Sequence, residues 1–118
     1  MYGLSKDVDL SFLLDKDLIQ VCFGLHDLML HFDGGVEIAL TSEVSCNVNG
    51  ECSQRTADFQ NVTKPLLALI GKTTVKVVGK ADGTLSILFK DDNSVTIYDN
   101  SDRYESYTIK GGGGVIVV

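Results

Sequence analysis

The chain has no apolar run near the roughly 20 residues that a bilayer-spanning helix requires, and residues 1–24 show no basic start leading into an unbroken apolar stretch. Neither a membrane span nor a secretion leader is expected, and the chain reads as soluble and cytoplasmic. Basic residues are scarce, with 10 Lys+Arg against 16 Asp+Glu and a net charge of −6. A phosphate backbone would be repelled, so nucleic acid is a poor partner. Cysteine is limited to three residues, an odd count that does not suit a disulfide scaffold. A single proline excludes collagen, while 44% hydrophobic and 22% charged residues exclude disorder and coiled coil. At 118 residues the chain is one domain, able to bury about two thirds of its unfolded surface without a metal or disulfides.

Alternation at period two dominates what is present. Val36, Ile38 and Leu40 face one side, Glu37 and Thr41 the other, the pattern of a half-buried strand. The same reading predicts strands near 18–23, 27–32, 35–41, 73–79, 84–90, 94–98, 104–110 and 115–118. Gly24, Gly34-Gly35, Asp82-Gly83 and Asp91-Asp92-Asn93 separate them, and these residues tolerate tight-turn backbone angles. Two short helices are expected. One starts after Asn61 or Thr63, holds Pro65 in its first turn and stops at Gly71; the other spans 10–14 after Asp9, with Leu10, Leu13 and Leu14 on one face.

The two helical segments begin an internal echo. A shift of 56 sets Leu10 on Leu66, Leu13 on Leu69, Leu14 on Ile70, Ile19 on Val75 and Val21 on Val77; a shift of 57 sets Leu28, Leu30 and Phe32 on Leu85, Ile87 and Phe89. A shift of 59 sets Val36 and Ile38 on Val95 and Ile97. The expected fold is therefore mainly β: an antiparallel sandwich or partly open barrel of about eight strands. It is built from two pseudo-equivalent helix-plus-three-strand units, about 10–43 and 66–101, with a C-terminal hairpin at 104–118. One such unit has an unpaired oily face, so the two should pack together around one core.

Chemistry-bearing residues are few. Gly24-Leu25-His26-Asp27 sets a histidine beside an acid in a turn, and His31 with Asp33 lies opposite Leu30 and Phe32. Neither forms a nucleophile–base pair, and no serine or cysteine sits in a recognisable nucleophile turn, so no catalytic residue is assigned. Asp91-Asp92-Asn93 and Asp99-Asn100-Ser101-Asp102 gather carboxylates without the alternating ligands and terminal Glu of a calcium loop, and read as turns. No metal and no cofactor are assigned. Cys22 reads as core filler. Cys46 and Cys52 flank a polar loop short enough to bring them together, although reduced thiols are expected in a cytosolic chain. Asn61-Val62-Thr63 matches a glycosylation acceptor, which is idle without secretion, and Gly111 to Gly114 lack the Lys-Ser/Thr of a phosphate loop and read as a hairpin connection.

Three features point to a partner. Tyr98, Asp99, Asp102, Arg103, Tyr104, Glu105 and Tyr107 interleave aromatics, an arginine and acids, and Tyr and Arg carry much of the energy of protein interfaces. Residues 1–59 hold three basic and ten acidic side chains, a net −7, which would steer a basic protein partner. Val115, Ile116, Val117 and Val118 form an apolar strand with no charge to guard it, which pairs inside a sheet or recruits a second chain, making a homodimer. A protein-interaction module of the immunity or accessory type is the expected function. A small-ligand or metal-binding domain around His26, Asp27 and His31, or a structural homodimer, are the alternatives.

The stretches Leu14-Asp15-Lys16-Asp17-Leu18-Ile19-Gln20-Val21, Leu28-Met29-Leu30-His31-Phe32-Asp33, 66–71, Gly83-Thr84-Leu85-Ser86-Ile87-Leu88-Phe89 and Tyr104-Glu105-Ser106-Tyr107 resemble a family of small, uncharacterised bacterial proteins. The likeness spans roughly residues 10–110. The family pattern has Gly where this chain has Asp15 and Trp where it has Tyr107. The resemblance implies a fold and brings no activity with it.

Overall fold

A computed structural model describes residues 3–5, 7–100 and 105–118. The alternating segments form ten strands: β1 (Leu18–Phe23), β2 (Leu28–Phe32), β3 (Glu37–Leu40), β4 (Val44–Val48), β5 (Glu51–Cys52), β6 (Thr74–Gly79), β7 (Leu85–Phe89), β8 (Asn93–Ile97), β9 (Tyr107–Gly111) and β10 (Gly114–Val117). They build two antiparallel sheets, ordered β1-β2-β3-β9-β10 and β5-β4-β8-β7-β6. The sheets share one core, and an antiparallel bridge between Asp17 and Thr73 joins them at one corner. The result is an open sandwich rather than a barrel.

The expected echo is present in the backbone. β1 and β6 have the same burial sequence, as do β2 and β7, and each outer pair carries a register shift at the same place, Leu18/Gln20 and Thr74/Lys76. Leu30 and Ile87 are both fully buried. At the junction the hydrogen bonds come in exchanged pairs: Asp15 N–H to Thr74 O mirrors Gly71 N–H to Leu18 O, and Thr74 N–H to Lys16 O mirrors Leu18 N–H to Lys72 O. Phe32 and Phe89, equivalent to one another, stack with centroids 6.4 Å apart and planes 12° from parallel. A pseudo-two-fold axis therefore passes between the halves.

Four corrections to the sequence reading follow. The third strands align at a shift of 57, not 59, because Leu30 pairs with Ile38 as Ile87 pairs with Val95. The slip arose because Val36 has polar Asn93 as its counterpart. Asn93 is buried all the same: its side-chain oxygen accepts from Asn49 N–H at 2.9 Å and its amide donates to Lys90 O at 3.3 Å. Secondly, ten strands replace eight, since β4 and β5 were not anticipated. Thirdly, each unit extends past its meander: the β4–β5 hairpin crosses to the second sheet and the β9–β10 hairpin to the first. Their turns match, Asn49-Gly50 with φ of 54° and 80° and Gly112-Gly113 with 58° and 83°, the left-handed pair that a two-residue hairpin requires. The halves are thus interlaced, and the ten acids of residues 1–59 are not confined to one sheet.

The helices make the fourth correction. Segment 10–14 is a single 3-10 turn, Ser11–Leu13. The second begins as a 3-10 turn, Phe59–Val62, capped by the Asp58 side chain accepting from Gln60 N–H, and continues as α1 (Thr63–Ala68). Neither Asn61 nor Thr63 caps it. Gly71, at φ 90°, closes the segment as expected, and Asp15 occupies the equivalent left-handed position at φ 57°.

Candidate interaction surface

Between β8 and β9 the described residues are 98–100 and 105–106, and they lie closer onto the sandwich than the sequence suggests. Asp99 is buried, accepting from Gly3 N–H at 2.9 Å and from the Ser106 hydroxyl at 2.6 Å. Tyr107 is 1% exposed and its hydroxyl donates to Gly83 O at 2.7 Å. Tyr107 pins β9 to the β6–β7 turn, and Asp99 ties the end of β8 to Gly3 and Ser106, so both side chains are turned inward. Burial, with Asp99 and Asp82 nearby, pushes the Tyr107 hydroxyl pKa up. Tyr98 is half-buried and shares a hydrogen bond of 2.9 Å with Ser45 Oγ; the Arg55 guanidinium lies 4.0 Å over its ring. Arg55 Nε in turn donates to Glu43 at 2.8 Å, and Asn100 donates to the same carboxylate oxygen. Glu105 is exposed. Asp102, Arg103 and Tyr104 lie outside the described residues.

The ligand-site alternative loses its geometry. His26 is exposed in the β1–β2 turn, beside a cavity of about 370 Å³ that also meets Asp58 and Phe59. His31 stands five residues on, in β2, with Nδ1 3.7 Å from Glu37 on the outer face of its sheet. His26 thus sits in the turn at one end of β2 and His31 near the strand's other end. Among the described residues no His, Cys, Asp and Glu gather as a metal-binding group. Asp91 and Asp99 fall at opposite ends of β8. A larger groove of about 580 Å³ runs between the N-terminal segment and β6, floored by Leu4, Val8, Leu10 and Val77. Lys76 and Lys80 are its only titratable groups among the described residues.

The cysteines are unbridged. Cys46 points into the core while Cys52 is exposed on β5. Burial raises the Cys46 thiol from 9.0 to about 11, partly opposed by a hydrogen bond with Ser53.

The sheet edges differ in a way sequence alone did not reveal. Edge strands β1 and β6 are each broken by a register shift, and β6 also exposes Lys76. β5 is two residues long, and the chain after it rejoins β4 one residue out of step, at the Val44–Thr56 bridge. Bulges, brevity and lysine are the devices that keep edges from pairing with other chains. β10 has none of them. Its pairing with β9 is regular from Gly114–Gly111 to Val117–Thr108, and Val118 continues it, exchanging hydrogen bonds of 2.9 and 3.2 Å with Tyr107. Because antiparallel pairs alternate, Val115 and Val117 turn their N–H and C=O away from β9. Their side chains are 59% and 43% exposed.

A family described as "Family of unknown function (DUF6188)" matches residues 13–118. The chain belongs to that family. The match covers both interlaced units and the whole of the β9–β10 hairpin. No curated protein and no solved structure matches the chain.

Within this DUF6188 chain, the outer faces of the two sheets also diverge at equivalent positions. Across the first sheet Cys22, Met29, Ala39, Thr108 and Val117 stand in one cross-strand row. The equivalent row of the second sheet reads Val78, Ser86, Thr96 and Ser45. The same frame carries apolar side chains beside β10 and hydroxyls on the other side.

Proposed function

We propose that the chain is a protein-interaction module with no catalytic role of its own, and that it receives an extended segment of a partner along the free edge of β10. The observation that supports this reading is that, among the described residues, one sheet edge is regular and uncharged while the other three are bent, short or guarded. Strand addition takes its affinity from main-chain hydrogen bonds and its selectivity from alternate side chains, here Val115 and Val117 with the apolar row behind them. The net charge of −6 favours a cationic strand donor over an anionic one.

The test is an amide-resolved titration of dilute protein with an alternating Lys-Val hexapeptide. Binding is expected to shift the Val115 and Val117 amides, and to vanish in Val117→Pro, which removes an outward N–H without touching the β9 ladder. It is expected to persist in Glu51→Lys, on the opposite sheet's edge. Binding that survives Val117→Pro, or shifts confined to β5, would refute the proposal.

A further inference from the structure

We infer that the edge of β10 is self-complementary, and that a second copy of this chain pairs with it antiparallel about a two-fold axis at Ile116. This rests on the strand-accepting reading but not on its charge preference: the strand donated by a second copy is uncharged, and the −6 of each molecule opposes its approach. The outward-facing groups belong to Val115 and Val117, two residues that swap places under that axis. Val115 of each copy then lies opposite Val117 of the other. Each such position exchanges two N–H···O=C bonds, with Ile116 facing Ile116 between them at a non-bonded site. A register shifted by one residue sets an outward residue against one whose backbone groups are already used on β9, and a register centred on Val115 or on Val117 pairs that residue with its own copy but leaves the other valine without an outward strand residue opposite it.

Side chains agree with this register. The four valines form one apolar cluster on the outer face, continuous with the Thr108, Ala39 and Met29 row on each side. Lys110 neighbours Val115, so two valines separate it from its counterpart and no like charges oppose. No charged residue occurs from Gly111 to Val118. One short strand per copy buries less than the about 1,600 Å² of a standard interface, so the dimer is weak, forming between about 10 µM and about 1 mM. Two bodies of charge −6 repel over a Debye length. Salt therefore strengthens this dimer, whereas it weakens the binding of a cationic strand donor.

Sedimentation equilibrium at about 20 and about 300 mM NaCl tests the inference. The expected result is a mass rising with concentration from 12.8 kDa toward twice that value, further at the higher salt. Val117→Pro and the double variant Val115→Lys/Val117→Lys should both stay monomeric while keeping the circular dichroism of the parent. Register is read by oxidative cross-linking in a Cys52→Ser background. Ile116→Cys should form a dimer, because facing non-bonded residues are about 4.5 Å apart at Cα. Val115→Cys should not, since its own counterpart lies beyond the about 7 Å that a disulfide can bridge. A chain that stays monomeric at about 1 mM but still binds the Lys-Val peptide overturns the second copy and leaves the strand-accepting reading standing. Loss of both overturns both. Equal cross-linking at 115 and 116, or a dimer that weakens with salt, overturns the register or the occupant.

Discussion

The buried thiol of Cys46 makes a quantitative prediction about alkaline stability. Its side chain is 4% exposed among core residues of the second sheet, and its pKa rises from 9.0 to about 11 because burial penalises the thiolate. Between these values the unfolded chain releases a proton that the folded chain retains. A raised folded pKa gives stability that is complete below pH 9 and is lost as pH climbs through 11. At about 1.36 kcal/mol per pH unit, the gap corresponds to about 2–3 kcal/mol lost across that window. That is a substantial part of the about 5–15 kcal/mol that holds a domain folded.

Cys46→Ala removes the titration along with one buried heavy atom. By analogy with small core truncations, the lost packing costs about 1 kcal/mol at pH 7. The stability curves of parent and variant should therefore cross: the variant is less stable by about 1 kcal/mol at pH 7 and more stable by about 1 kcal/mol at pH 11. Urea unfolding at pH 7, 9, 10 and 11 under reductant measures both, and every other titrating group is common to the two proteins. A difference between them that stays constant from pH 8 to 11 would refute the burial argument.

Three further outcomes are expected. Tyr107→Phe leaves Gly83 O without its donor and should cost about 1–2 kcal/mol at pH 7; because burial raises this hydroxyl too, the variant should lose less than the parent above pH 10, measured in the same urea series. Thr74→Val deprives Leu13 O of a donor and Lys16 N–H of an acceptor at a fully buried site of the inter-unit junction, and should lower stability by about 2–4 kcal/mol in denaturant titration, with a loss under 1 kcal/mol counting against it. Asp15→Gly should change stability by about 0.5 kcal/mol or less, whereas Gly71→Ala at the equivalent left-handed position should cost about 1 kcal/mol or more, a contrast that melting temperatures resolve.

Much of the fold was legible because its cues are local. The alternating burial of β2 and β7 follows directly from Leu28-Leu30-Phe32 and Leu85-Ile87-Phe89, and Gly71 closes its helix where a left-handed residue is needed. The β4–β5 hairpin carried the same cues, Val44-Cys46-Val48 followed by Asn49-Gly50, but the outward Ser45 and Asn47 made the stretch look like a loop. Crossing between sheets left no trace in the pattern, since a half-buried strand alternates identically whichever sheet it joins. Nor could spacing reveal that Asp99 and Tyr107 turn inward, because their partners, Gly3 and Gly83, are remote in sequence. The lack of charge in β10 was readable. What made it informative was the state of the other edges, and that depends on hydrogen-bond register.

Interlacing also changes what the uneven charge can do. An acidic half-chain would give an acidic face if the halves were stacked as separate layers. Here the β4–β5 hairpin carries Glu51, with Glu43 just before it, into the second sheet, while β9 and β10 bring Lys110 and four valine and isoleucine residues into the first. Steering by charge is then a property of the whole molecule, acting through its net −6 over distances of about a Debye length. The docking proposed here would be decided at short range, where β10 offers backbone groups and apolar side chains but no charge. The two effects should separate in kinetics: ionic strength shifts the association rate of a charged partner, while changes at Val115 and Val117 act on its dissociation rate.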